Sequence, residues 1–368
     1  MPVSLVQHCA RTAAPITLLA VLLTGCASDI VERAVHNDRI NFNEAIVQSW
    51  NEQLLLNLVR LRYRDNPLFL EMGGVIAGYT LKGTTGLAGG TVFQSPLTGD
   101  WRLNLGGEYT TSPTLTYFPL QGEDFANRLL SPISPSMILY LSQSGWSIER
   151  LFTLCVQQAN DVPNAISASG PTPDRAPVYG EARQISEALR VLQKKGTIEG
   201  ALDKDGKTVL LYIKAGRDSS TAIALATVRT LLDLDSSAVA YRLVPSFVRE
   251  RKDDIAMMGR SLLSVMFFLS QAVEVPQADV SAGKVTLTRS DDGTPFDWSG
   301  VTGRVFKVRS SEVEPEDAYV RVLYRGHWFS IADADLNTKT TFSLLTYLFN
   351  LKAAGKGVQE PFLTYPVH

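Results

Sequence analysis

The stretch Ile255 to Val273 sets the strongest condition on the fold. It is nearly apolar around Leu262-Leu263-Ser264-Val265-Met266-Phe267-Phe268-Leu269 and reads as helical. That run is far short of the ~20 apolar residues that a membrane-spanning helix needs, so the segment is expected as a buried core helix. A helix apolar all round needs neighbours all round, so the rest of the chain must supply elements that enclose it. With 45% hydrophobic residues and 12 tyrosines, the chain has the material for one large core or two smaller ones.

The other segments alternate between helical and extended periods. Val47, Trp50, Leu54, Leu58 and Leu61 form the apolar stripe of a helix from about Asn43 to Tyr63, stopped by Asn66-Pro67. Extended runs follow at Leu68 to Met72, Val75 to Leu81, Trp101 to Tyr109 and Pro113 to Phe118, an antiparallel meander. Its flexible hairpin tip is expected at the glycine-rich stretch Gly83 to Gly90. Glu123 to Leu130, Ser136 to Ser144 and Ser147 to Asn160 read as short helices, with Ser136 and Ser147 as N-caps. Residues 161–178 are rich in proline and are expected as a linker. Beyond it lie helices from about Tyr179 to Lys195 and Ser219 to Asp233, with a hairpin around Asp203 to Gly206 between them. Strands are then expected at Ala238 to Val244, Val285 to Thr288, Gly303 to Val308, Tyr319 to Tyr324 and His327 to Ile331. A last helix is capped by Asp335, and Phe362 to Tyr365 reads as an edge strand.

At the other end of the chain, Ile16 to Leu23 is a short apolar core preceded by Arg11 and followed by small residues, the layout of a secretory signal peptide. Leu23-Thr24-Gly25-Cys26 resembles the lipobox of bacterial lipoproteins. The resemblance implies cleavage before Cys26, lipidation of Cys26, and attachment to a membrane through two or three acyl chains, enough for a stable anchor. The next residues are Ala27 and Ser28, where an aspartate would imply inner-membrane retention, so the implied location is the periplasmic face of the outer membrane. The segments Asn51 to Pro67 and Pro113 to Leu120 are similar to parts of uncharacterised bacterial lipoproteins, which brings no activity with it.

The expected fold is α+β, with antiparallel strands and packed helices in two modules after a cleaved signal peptide. The expected divisions are 1–25 signal peptide, 26–40 tether, 41–160 N-terminal helix, meander and helical block, 161–178 linker, and 179–368 C-terminal module.

Marks of chemistry are few. With 35 basic against 37 acidic residues, nothing suggests a nucleic-acid partner. HExxH and GxSxG are absent, and no Cys or His pair has metal spacing, so no catalytic residue, metal or cofactor is expected. Asp333-Ala334-Asp335-Leu336-Asn337 opens like a calcium loop, but Thr338 and Leu344 occupy the positions that need Gly and Glu. Asp253-Asp254 is expected ahead of a helix and Asp291-Asp292 in a turn. Cys155 lies in an apolar context and reads as a buried, inert thiol.

Arg60, Arg62 and Arg64 crowd one helix end and are the candidate partner contact, against the plainer reading of arginines lying over an apolar face. The expected function is a non-catalytic, lipid-anchored interaction or assembly component of the envelope, with an envelope protein or further copies of the chain as partner. Gly83 to Gly107 would be a contact hairpin. The alternatives are a membrane-tethered hydrolase of envelope polymers, which needs a polar cleft, and a carrier of a small apolar ligand, which needs an enclosed cavity.

Overall fold

The computed structural model describes residues 40–353 except 90–100 and positions 172, 205, 207, 215 and 217. Cys26, the tether 26–39 and the segment Phe362 to Tyr365 lie outside the described residues. The architecture is α+β. It opens on helix α1, residues 40–62, whose Leu54, Leu55, Leu58, Val59 and Leu61 are buried, whereas Val47 near its start is exposed.

Two long strands follow, β1 (Leu70–Gly89) and β2 (Trp101–Pro119), paired antiparallel as a two-stranded ribbon. The expected meander of shorter strands is therefore corrected to a single hairpin. Its apparent break near Gly73 is a bulge between Met72 and Gly74, and Gly83 to Gly89 is strand where a tip was expected. Glycine weakens a strand without forbidding it, so glycine content alone misplaced the turn.

Next come α2 (Glu123–Leu130), α3 (Pro135–Gln143) and α4 (Ile148–Cys155). Ser134, and not Ser136, caps α3 by accepting from the Met137 amide at 3.2 Å. Ser147 stands at the N-cap of α4, but the Ile148 amide donates instead to Gln193 Oε1 at 3.0 Å. The helix expected to continue to Asn160 ends at Cys155. Val156–Ala159 is β3, followed by β4 (Val162–Pro163).

The second half runs through α5 (Gly180–Lys194), β5 (Ile198–Leu202), β6 (Val209–Ile213), α6 (Ser219–Leu231), β7 (Ala240–Val244) and β8 (Asp254–Gly259). It continues with α7 (Leu262–Ser270), α8 (Gln277–Ser281), β9 (Arg309–Ser311), β10 (Ala318–Tyr324), β11 (His327–Ala332) and α9 (Leu336–Ala353).

One sheet has the order β4-β3-β8-β7-β6-β5, antiparallel except for β7 and β8, and another has the order β10-β11-β9. Helices α3 to α6 contribute Leu139, Phe152, Leu189 and Val228 against Leu211, Leu243 and Met257 of the larger sheet. The 161–178 stretch is built into this body: β4 pairs with β3, and Ala165 and Ala168 are fully buried.

The apolar stretch that dominates the sequence is a strand and a helix joined by a sharp turn. β8 sits inside the larger sheet, and α7 begins only after Ser261, whose hydroxyl accepts from the Ser264 amide at 3.1 Å. α7 is the enclosed helix the composition calls for, with Leu262, Val265, Met266, Phe268 and Leu269 all below 1% exposed. The turn needs glycine for a steric reason, because a Cβ on Gly259 would lie 2.1 Å from the carbonyl oxygen of Ile133. Asp254 consequently heads a strand and not a helix. It is buried, and Arg242 grips it with two bonds of 2.8 and 3.1 Å.

Beside this turn Arg260 is fully enclosed. Its guanidinium donates to the carbonyls of Thr153 (2.7 Å), Leu154 (3.1 Å), Val156 (2.9 Å) and Asn164, and to Ser169 Oγ (2.9 Å). It also lies 4.4 Å from the centre of the Phe268 ring. Burial lowers its pKa to about 9, which leaves it charged at neutral pH. The same burial pushes the Cys155 thiol up to about 12, consistent with an inert side chain.

The expected strands Val285 to Thr288 and Gly303 to Val308 do not form; the second segment makes a single isolated bridge, Val273 with Val308, and the first makes none. Thr302 explains the second case, since its amide and hydroxyl both donate to the Trp298 carbonyl and hold a turn. The β10–β11 turn at Arg325-Gly326 has φ of 50° and 81°, the paired left-handed geometry of a two-residue hairpin.

Candidate functional site

The ribbon β1–β2 stands apart because its strands pair with each other and with no other described strand. Its root is built from α1. Gln53 and Asn57 are four apart and so share a helix face. The Asn57 amide, fully buried, donates to the Leu68 carbonyl at 2.8 Å and accepts from the Leu68 amide at 2.9 Å, so a side chain completes what a neighbouring strand would supply. Gln53 Oε1 accepts from the Leu70 amide at 3.2 Å, and the Leu120 amide donates to the Phe69 carbonyl at 2.9 Å, which closes the base. Phe69 is buried with ring centres 5.6 Å from Phe125 and 5.3 Å from Phe349, and Trp50 meets Phe349 edge-on. The root is thus fixed to the core by aromatic packing and by saturated backbone bonds.

The three arginines expected as a contact cluster are separated at this root. Arg62 is buried and donates to the Thr286 carbonyl at 3.2 Å, and burial lowers its pKa to about 10. Arg60 is half-buried, in a groove of about 600 Å³ shared with Leu68, Leu70, Glu314, Arg321 and Trp328. Arg64 is exposed at the left-handed end of α1, with φ of 62°. A direct partner contact through Arg62 would need the packing opened, so Arg62 acts as an internal fastening.

Neighbouring residues fasten the same helix end. Asp65 accepts from the Tyr324 hydroxyl and from Arg325 at 2.9 Å; the Tyr324 bond is the main cause that holds its carboxyl below the usual range. Tyr63 donates to Asp279 at 2.7 Å, Lys284 donates to the other Asp279 oxygen at 2.6 Å, and Arg325 lies over the Tyr63 ring at 5.1 Å. The Lys284 and Tyr63 bonds hold the Asp279 carboxyl below its ordinary value.

The folded state therefore binds that proton more weakly than the unfolded chain. The resulting stability is fully present above the ordinary carboxylate value near pH 4 and is lost as pH falls through the lower, folded value. Thermal melts are expected to show Asp279→Asn less stable than wild type at pH 7, with the gap closing below about pH 4. A gap independent of pH would show that the carboxylate charge is not what fastens the helix end.

The register of the ribbon sorts its residues by face. On β1 one face carries Val75, Ala77, Tyr79, Leu81 and Leu87, and the register partners bring Leu115, Tyr109, Leu105, Leu103 and Trp101 to that face. The opposite face carries Thr80, Lys82 and Thr84 along with Thr110, Glu108 and Thr114, with Lys82 directly across from Glu108. Lys82, Arg102 and Glu108 are the only charged residues from Gly74 to Gly89 and from Trp101 to Thr116, and all three stand on this second face.

Among the described residues no group of three or more His, Cys, Asp or Glu is placed to hold a metal, and no helix is long and apolar enough to cross a membrane. Asp335 caps α9 by accepting from the Thr338 amide at 3.0 Å, and Asp333 pairs with Lys339 at 2.6 Å. The apolar cavity between the larger sheet and its helices is about 100 Å³, below the ~150 Å³ of a dry cavity that takes benzene.

Asn57, Gln53 and the continuous strand through Gly83 to Gly89 were missed as parts of the site. The alternation of Val75, Ala77, Tyr79 and Leu81, continued past Gly83 to Thr85 and Leu87, was the available signal. No family model, curated protein or solved structure matches the chain.

Proposed function

We propose that the protein is a lipid-anchored envelope lipoprotein on the periplasmic face of the outer membrane, and that its body serves as a non-catalytic assembly component. The ribbon β1–β2 is its contact element. The observation that carries this reading is a ribbon of 20 and 19 residues, joined to the body at a rigid root and with two edges that no other described strand covers. An isolated two-stranded hairpin is marginal in water, and open edges invite another chain, so such an element is suited to completion by a partner. The anchor is supported by the order of charged start, apolar core and Leu23-Thr24-Gly25-Cys26.

Mass spectrometry of the N-terminal peptide tests the anchor, and cross-linking in intact cells tests the assembly. The expected results are a peptide that begins at acylated Cys26 and a cross-linked species heavier than one chain. A peptide that retains the residues before Cys26, or only monomer after cross-linking, would overturn the proposal.

A further inference from the structure

The two faces and two edges of the ribbon together specify what completes it. We infer that ribbons from several copies of this chain pair edge to edge and close a β-barrel, with the apolar face against bilayer lipid and the charged face toward the lumen. The inference rests on the reading of the ribbon as a contact element in the envelope.

Among the described residues nothing pairs with the outer edge of β1 or of β2, and the two edges are nearly equal in length. A head-to-tail contact between unlike edges repeats until it closes, and closure alone leaves no edge unpaired. Pro113 lacks an amide, so β2 can offer an uninterrupted run of donors only from Trp101 to Ser112. That run exceeds the ~9–11 residues of a tilted membrane-spanning strand. About eight strands make the smallest side-chain-filled barrel, so about four ribbons are the lower limit.

The residue pattern is that of a strand between lipid and lumen. One face is mainly apolar, with Thr85, Thr111 and glycines between Val75, Ala77, Tyr79, Leu81, Leu87, Leu103, Leu105 and Leu115, and Lys82, Arg102 and Glu108 are confined to the other, which also carries Ile76. Trp101 and Tyr117 stand at opposite ends of β2 on the apolar face, where interfacial aromatics belong. Their separation is about 50 Å along the strand, or about 40 Å along the membrane normal at the tilt usual in barrels, close to the ~40–45 Å of a bilayer with its headgroups. Residues 26–39 reach at most ~50 Å when extended, more than the ~35 Å length of α1, so an anchor at Cys26 and the ribbon root can meet one membrane surface.

The test places an environment-sensitive dye on single cysteines at Val75, Ala77, Leu81 and Leu87, and at Gly78, Thr80, Lys82 and Thr84. The labelled full-length lipidated protein is reconstituted in phosphatidylethanolamine–phosphatidylglycerol vesicles that carry nitroxide-labelled acyl chains, and copies are cross-linked. The expected result is loss of dye emission at the first set and not at the second, together with species of several cross-linked copies. Leu81→Arg should abolish the loss of emission, and Thr80→Arg should preserve it.

Absence of the period-two pattern would overturn the inference, as would copies cross-linked without quenching by lipid, or quenching with monomer alone, since a lone hairpin cannot satisfy its edges in a bilayer. The dye readout is independent of the acyl group, and the Cys26 peptide mass is independent of the ribbon, so failure of the barrel and failure of the anchored-lipoprotein reading are distinguishable.

Discussion

Replacing Arg260 by methionine is expected to lower the melting temperature by about 10 °C. Methionine keeps an apolar stem beside Phe268 but removes the guanidinium donors from the carbonyls of Thr153, Leu154, Val156 and Asn164. Val156 O retains the Asn164 side chain at 2.8 Å, so it is the least affected of the four. Breaking a buried charged network on one side costs about 3–5 kcal/mol, and for chains of this size each kcal/mol is worth roughly 2–4 °C. Arg260→Lys should fall between the two, because an ammonium has three donors and lacks the planar fork that serves several carbonyls at once. A methionine variant that melts with wild type would show that these carbonyls find other partners and that Arg260 does not hold the junction of α4, β3 and β8.

Asn57→Ala is expected to cost about 2–4 kcal/mol, because it strips partners from both the amide and the carbonyl of Leu68 and opens a small void beside them. Its second consequence is local. With the root bonds gone, limited proteolysis should cut first near residues 68–70, whereas wild type should resist there. A variant that loses stability without new cleavage at the root would mean that Phe69, wedged between Phe125 and Phe349, holds the ribbon unaided.

Much of the helical scaffold was legible because caps and stops are local. The Asp335 cap lies where the sequence puts it, and Gly145 with φ of 94° and Gly196 with φ of 64° stand just past the ends of α3 and α5. The failures have a common cause. In Leu151 to Val156 and again in Ile255 to Leu269, a buried strand adjoins a buried helix, and a short apolar run carries no period that separates the two. Gly259 and Ser261 mark the second junction, but the close approach to Ile133 that makes Gly259 necessary exists only in three dimensions.

The candidate site was partly legible. The region of the hairpin was anticipated, but its glycines concealed how far the strands extend. The arginine cluster was visible as a charge run, yet which arginine turns inward depends on the Thr286 carbonyl, more than two hundred residues away in sequence. Asn57 gave no signal at all, since an asparagine inside a helix usually faces solvent and its role appears only where the chain returns at Leu68.

In the proposed function the ribbon assembles the protein and the body only carries it. The most direct measurement removes residues 75–115, joins the remaining ends through an Asn-Gly turn, and compares the size of the detergent-extracted lipidated protein with that of wild type, alongside thermal melts of both. The expected result is a single-chain species whose body melts as in wild type. A shortened protein that keeps the body's melting transition and still runs at the assembled size would contradict it.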